Sequence, residues 1–316
     1  MKTFVTKVKS VPEGELIARP ARETGPYVEL MLDRNFKLFF GSEERLDLLL
    51  ALLQEFLPEL GIVSVELGDK ENVSMRKELK NSVFDVKCKL GDGRTVIVEA
   101  QYNSRPDYLD RVLYYSYWPV MGQIRSGKKN NYKLSEVYVL SFTNFALMHD
   151  ADWEGDVVSS YSLREDGNGE LMTDALHFRY VELGRFGKKE AELESLRDRW
   201  LYYLKNLGGL KEELAWKERG DAIDRLVEAA RVQALNDEDR DLYIRNMESA
   251  FDIQSEIWYA RQEGEARGEA RGEAKGRAEG ASARTDEIAR NFKAMGIPID
   301  QIAQATGLTP EQVQAL

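Results

Sequence analysis

Residues 83–101 read VFDVKCKLGDGRTVIVEAQ and carry an aspartate, Asp85, and a glutamate, Glu99, on either side of Gly91-Asp92-Gly93. A three-residue hairpin loop with glycine in the left-handed position is a common connection between antiparallel strands. It pairs Leu90 with Arg94 and sets Asp85 opposite Glu99. In that register Phe84, Val86, Cys88, Leu90, Val96, Val98 and Ala100 form one apolar face. Asp85, Lys87, Lys89, Thr95, Ile97, Glu99 and Gln101 form the other. A two-residue loop would shift the pairing by one and break up the apolar face. Directly opposed carboxylates lie about 5 Å apart at Cβ and repel. A divalent cation bound by oxygen ligands would offset that repulsion, with the Ala100 carbonyl as a further donor. The alternative is a pair of solvated acids at a sheet surface, neutralised by Lys87 or Arg94.

The elements that must position this hairpin follow from pattern. Residues 33–40, DRNFKLFF, predict a short helix. Ser42 is placed to cap the next one, in which Leu46, Leu49, Leu50, Leu53 and Leu57 keep helical spacing up to Pro58. Residues 62–67 predict a strand ahead of the hairpin. Residues 107–125 predict an aromatic-rich helix interrupted by Pro119, and 136–142, EVYVLSF, a strong strand. Further strands are expected at 157–164 and 177–183, separated by a turn in EDGNG. Helix, strands, helix, strand and further strands make an α/β or mixed α+β sheet.

Composition bounds the chemistry. With 43% hydrophobic and 31% charged residues, most of the 316 residues should fold around a real core. One cysteine, Cys88, and two histidines, His149 and His177, argue against a disulfide framework or a structural zinc site. The N-terminal residues lack the apolar core of a signal peptide. The longest apolar run, 48–53, falls far short of the ~18 residues of a membrane span. The expectation is a soluble, cytoplasmic protein with no membrane partner. The net charge of −11 alone disfavours a nucleic-acid partner. Its distribution does not: residues 76–133 hold twelve basic and six acidic side chains, so the hairpin lies in a basic window of an acidic chain. That window suits an anionic partner, or else solvated strand and helix faces.

Beyond Phe186 the chain becomes helical and charged. Trp200, Leu201, Tyr203 and Leu204 can pack one helix, and Ile223, Leu226, Ala229 and Ala230 another. In 264–280, GEARGEARGEAKGRAEG, glycine recurs every fourth residue. Each internal glycine costs a helix about 1 kcal/mol relative to alanine. The segment is therefore a flexible charged linker, or a helix whose glycine stripe permits close approach of a partner helix; the Ala, Glu and Arg content favours the helix. In the tail, Gly307 is placed as a C-cap, and Thr309, Pro310 and Gln312 form an N-terminal capping box. The result is a helix-turn-helix-like unit, or a small helical hairpin used for protein contacts. Its last helix contains no Lys or Arg, which disfavours DNA reading.

The order and spacing of several pieces resemble the PD-(D/E)xK nuclease superfamily, and more closely the recombination-promoting nuclease (Rpn) or putative transposase family. The pieces are Asp33 with Phe36-Lys37 and Phe40, Phe84-Asp85-Val86, Val98-Glu99-Ala100-Gln101, Arg111 with Tyr114 and Tyr115, and residues 137–142. The glycine-rich tail repeat also looks typical. The resemblance implies a restriction-endonuclease-like core over 28–190 with a helical C-terminal extension: a helical region at 191–262, the repeat at 263–281 and the small unit at 282–316. It implies hydrolysis of DNA phosphodiesters with Mg²⁺, or Mn²⁺ in its place. Asp85 and Glu99, with the Ala100 carbonyl, would ligate the metal, and Gln101 would occupy the place of the superfamily lysine. Asp33 matches an acid that assists the site, or else caps its helix before Phe36. Lys87 is a candidate for the charge that Gln101 lacks. Arg111 is a candidate phosphate contact, or else a partner of Asp107 or Asp110 on its own helix. Two further readings stay open: a DNA-binding or recombination accessory protein with a vestigial centre, assembled through its C-terminal helices, and an interaction protein that assembles through residues 245–316; a homo-oligomer is expected in each reading.

Overall fold

The structure is a computed structural model that describes residues 25–68, 71–72, 82–124, 132–147, 155–214 and 221–316. Two compact units divide it, Met1–Ala250 and Phe251–Leu316. The basic residues Arg76, Lys77, Lys80, Arg125, Lys128 and Lys129 and also His149 lie outside the described residues.

The first unit opens with helices α1 (Asp33–Phe40) and α2 (Leu46–Phe56). Ser42 caps a single 3₁₀ turn, Glu43–Arg45, that leads into α2. Strand β1 (Val65–Leu67) follows, then a separate pair, β2 (Glu71–Asn72) and β3 (Ser82–Val83). The hairpin is β4 (Val86–Leu90) and β5 (Thr95–Gln101). Helix α3 (Tyr108–Met121) connects it to β6 (Val137–Thr143), and β7 (Val158–Ser162) and β8 (Leu176–Glu182) complete the sheet. Pro119 lies in the last turn of α3 and does not end the helix.

The six strands run in the order β1-β4-β5-β6-β8-β7. Strands β5, β6 and β8 are mutually parallel, and the outer pairings are antiparallel. The hairpin register is the expected one: Val86 pairs with Val98, Cys88 with Val96 and Lys89 with Thr95. Gly93 takes the left-handed φ of 91° that this loop demands.

Both faces of the sheet are covered. On one, Val86, Cys88, Val96, Val98, Ala100 and Phe142 pack into a large core with Phe36, Leu52, Trp200 and Leu226 from α1, α2, and the later helices α4 (Leu196–Asn206) and α5 (Ala222–Ala229). On the other, Ile97, Val137, Val139 and Tyr180 pack against Tyr108 and Val112 of α3. The parallel connection from β5 to β6 carries α3 across that second face, and parallel strands are buried on both sides for this reason. Residues Thr95–Ala100 are accordingly buried throughout. Two expectations are corrected here. Asp85 and Glu99 are buried, so they are not surface acids, although Lys87 and Lys89 on the same face of β4 still reach solvent. Phe84 does not join the face of Val86: the chain bends at Asp85 before β4 begins, and Phe84 packs with Ile97 under α3.

Helix α6 (Asp237–Ala294) begins in the first unit, where Tyr243 is buried, and continues in the second. In the second unit the glycine repeat is helical and exposed along its length. Ion pairs four residues apart run along it, among them Arg261–Glu265 at 2.7 Å and Glu263–Arg267 at 2.5 Å. A methyl group at Gly264, Gly268, Gly272, Gly276 or Gly280 would meet nothing within 4 Å. Replacing Gly268, Gly272 and Gly276 together by alanine should strengthen this helix by about 1 kcal/mol per site. Slower amide hydrogen exchange across 264–280 in the full-length chain would show it; unchanged or faster exchange would mean that the glycines are needed for a closer contact. The second unit ends with α7 (Ile299–Thr306) and α8 (Pro310–Ala315). Gly307 caps α7 with a φ of 74°, and Thr309 and Gln312 form the capping box of α8. Ala289, Ile302 and Val313 form the small core of this unit. The Lys293 ammonium is taken up by the last carbonyls, Val313 and Gln314.

Candidate active site

The site forms where the sheet changes from antiparallel to parallel. Glu99 and Gln101 stand at the carboxyl end of β5, where ligand sites of parallel sheets collect. Because β4 runs antiparallel to β5, the residue just before β4 reaches the same end. That residue is Asp85. It does not continue the ladder; its carboxylate Oδ2 accepts the Ala100 N–H at 2.8 Å in place of a main-chain partner. The bend therefore turns the Asp85 side chain onto β5, beside Glu99.

Asp85 and Glu99 are 4% and 6% exposed. Two carboxylates so deeply placed are costly unless paired with a cation. Lys37 supplies one. It stands one turn after Asp33 on α1, and its Nζ lies 3.0 Å from Asp33 Oδ1 and 3.1 Å from Asp85 Oδ1. Asp33 is thus brought to the site through Lys37. It does not cap α1, whose N-cap is Leu32 with no side-chain bond. Lys37, named from the sequence only as a piece of the family resemblance, had no role assigned there; its signal was the four-residue spacing from Asp33, which puts both on one helix face.

Glu99 is less well satisfied. Its Oε1 is buried and has no hydrogen-bond partner among the described residues. Burial pushes the Glu99 carboxyl well above the usual range, the neighbouring Asp85 charge adds to this, and Arg111 and Lys37 act against it. Burial likewise raises Asp85 to about 7, helped by hydrogen bonding to Asp33 and opposed by the Lys37 charge. Asp33 is held below the ordinary range: burial would raise it, but hydrogen bonds to Asp85 and Lys37 prevail. For Lys37, burial would lower the ammonium and the Asp85 and Asp33 charges outweigh it, so it stays charged. Two like charges this close hold on to a proton until a cation replaces it.

The remaining candidates are placed as follows. Gln101 is half-buried; its Oε1 accepts from Arg111 Nη2, and its Nε2 donates to the Asn103 carbonyl at 2.8 Å. Arg111 therefore turns to Gln101 rather than to Asp107 or Asp110, and Arg105 pairs with Asp107 instead. Lys87 lies on β4 opposite Ile97, with its ammonium 5.9 Å from the centre of the Phe84 ring. Arg94 pairs with Asp92 at 2.5 Å and Glu136 at 3.7 Å, so it does not neutralise the two acids. Beneath the site, Ser141 stands beside Glu99 on β6 and hydrogen-bonds Tyr108.

A model of the PD-(D/E)XK nuclease family transposases matches residues 30–260. The chain belongs to this family. The match contains the whole sheet and every residue of the site. Searches of curated proteins and of solved structures give no match. The family supports a nuclease-type role for the chain. No helix among the described residues is long and apolar enough to cross a membrane.

Among the described residues no group of three or more His, Cys, Asp or Glu side chains is disposed to hold a metal. The donor set nonetheless fits a small hard cation. Asp85 and Glu99 offer carboxylate oxygens, one of them unpartnered, and Ala100 offers a carbonyl. Magnesium is characteristically held by one or two carboxylates and keeps several waters.

Proposed function

We propose that this chain is a Mg²⁺-dependent DNA endonuclease of low sequence specificity, with Mn²⁺ able to serve in place of Mg²⁺. It would act in the cytoplasm in recombination, transposition or defence against foreign DNA. The observation that carries the proposal is the buried Asp85–Glu99 pair, with an unpartnered Glu99 oxygen, at the strand end of a nuclease-family fold.

Asp85, Glu99 and the Ala100 carbonyl are the ligands in this reading. When bound, the metal makes water more acidic and stabilises charge on the scissile phosphate. The chain's own residues set the rest. The Ala100 N–H fixes the rotamer of Asp85. Lys37, itself held by Asp33, pairs with Asp85 and its charge favours the ionised carboxylate, whereas the neighbouring Asp33 acts against it. Gln101, in the place a lysine would otherwise take, would orient the reacting water. Lys87 and Arg111 would be the basic side chains that contact the DNA phosphates. Each phosphate contact releases counterions, so DNA binding should weaken steeply with salt.

The neutral Gln101 favours a second reading, an accessory protein that binds DNA but cleaves it weakly, assembled as a homo-oligomer through its C-terminal helices. One assay separates the two. Supercoiled plasmid is incubated with Mg²⁺ or with EDTA, using wild type, Asp85→Ala and Glu99→Ala. Nicking by wild type alone, and only with metal, supports the endonuclease. Salt-sensitive binding without cleavage by all three would transfer the case to the accessory protein.

A further inference from the structure

A lysine at the second position after the ligating glutamate would carry a full positive charge, and Gln101 carries none. The structure shows where a charge stands instead. Tyr108, Arg111 and Tyr115 fall at i, i+3 and i+7 on α3, one face of the helix. That face lies over β5, where Tyr108 packs with Ile97. The Arg111 guanidinium is 5.6 Å from the centre of the Tyr108 ring and 5.9 Å from that of Tyr115. It pairs with no carboxylate among the described residues and donates to Gln101 Oε1. Gln101 is itself held: its Nε2 bond to the Asn103 carbonyl fixes which end of the amide faces Arg111. An amide nitrogen has two N–H donors, so one remains for a water or a phosphate oxygen.

We propose that Arg111 supplies, through Gln101, the positive charge that a lysine at position 101 would bring to the reaction. This rests on the endonuclease reading above. Arg111 is a positioning residue: it polarises and orients the Gln101 amide, and its charge already acts on Glu99. The two residues form a matched set. A glutamine accepts from the guanidinium, whereas a lysine in its place would set two cations side by side in a half-buried site. The glutamine is then a consequence of the arginine on α3, not a mark of a failed centre.

The test is a double-substitution cycle read as single-turnover cleavage of plasmid at saturating Mg²⁺. Arg111→Gln should slow cleavage by about 100-fold, the usual effect of losing one charge-stabilising donor. Arg111→Lys, which keeps charge and loses the planar fork, should fall between the two. Gln101→Lys alone should also be slow. Gln101→Lys added to Arg111→Gln should be at least about ten-fold faster than Arg111→Gln alone, an interaction expected only of coupled residues. Loss of packing around α3 cannot be repaired by a change on β5, so the recovery separates a charge role from a structural one. Wild-type cleavage matched by Arg111→Gln, or a double variant no faster than Arg111→Gln, overturns the proposal while leaving the endonuclease intact. A wild type that cleaves nothing with Mg²⁺ or Mn²⁺ overturns the endonuclease reading and this proposal with it.

Discussion

Asp85→Asn and Glu99→Gln are expected to abolish metal-dependent cleavage and, at the same time, to raise the melting temperature of the metal-free protein. Each change keeps the shape of the side chain, removes one charge and replaces one acceptor oxygen by an N–H donor. Loss of a ligand carboxylate should cost about 1,000-fold or more in rate. The stability effect has the opposite sign because both acids are strained in the absence of metal. Burial holds Asp85 at about 7 and Glu99 well above its ordinary value. In the unfolded chain these groups titrate near 4. Below that pH both states are protonated and the site costs nothing. As pH rises, the unfolded chain releases its protons while the folded one retains them, so stability falls until the folded groups also ionise. For Asp85 the fall spans about pH 4 to 7. The penalty is of the order of a few kcal/mol. An asparagine at 85 still accepts the Ala100 N–H, and Lys37 still has Asp33. Melts in EDTA at pH 5 and pH 8 give the measurement. Wild type should be less stable at pH 8, and each variant should lose part of that difference. A variant that still cleaves, or that melts well below wild type at pH 8, would show that these acids are structural.

That opposition of activity and stability was partly legible in the sequence, and the limits have physical causes. The hairpin register followed from local information: a loop needing one left-handed glycine, and alternation that only one pairing preserves. The opposition of Asp85 to Glu99 followed from it. Phe84 did not, because the alternation was carried through Asp85, where the chain bends and the acid takes a main-chain hydrogen bond. The burial of the second face was not legible either. It depends on where a crossover helix lands, and the mixed pattern Thr95, Ile97, Glu99, Gln101 reads as a wet face when viewed alone. The cation was similarly hidden. The Asp33–Lys37 pair is visible as a four-residue spacing, but its reach to Asp85 requires α1 to pack at the end of the sheet. The helical character of the glycine repeat was favoured by its Ala, Glu and Arg content, and the capping residues of α7 and α8 were explicit in Gly307, Thr309 and Gln312.

Lys37→Met should lower the stability of the metal-free protein and enlarge the stabilisation that Mg²⁺ confers. Lys37 is the one cation in ion-pair contact with Asp85 among the described residues, at 3.1 Å. Removing one member of a buried pair strands the other and costs about 3–5 kcal/mol when both are fully buried. Here the Lys37 side chain is 27% exposed and Asp33 shares it, so roughly 2 kcal/mol is a better expectation. The second effect follows from competition. A cation ligated by Asp85 must share that carboxylate with the ammonium, and the two positive charges repel. In wild type, part of the binding energy of the metal is spent against Lys37. In Lys37→Met that cost is gone, and the uncompensated acids gain more from a cation. Ligand stabilisation grows with affinity, so the rise in melting temperature between EDTA and saturating Mg²⁺ should be larger in the variant than in wild type. It should vanish in Asp85→Asn. A rise equal to or smaller than wild type in Lys37→Met would mean that Lys37 and the metal do not compete for Asp85, and would place the metal on Glu99 and the outer side of the site instead.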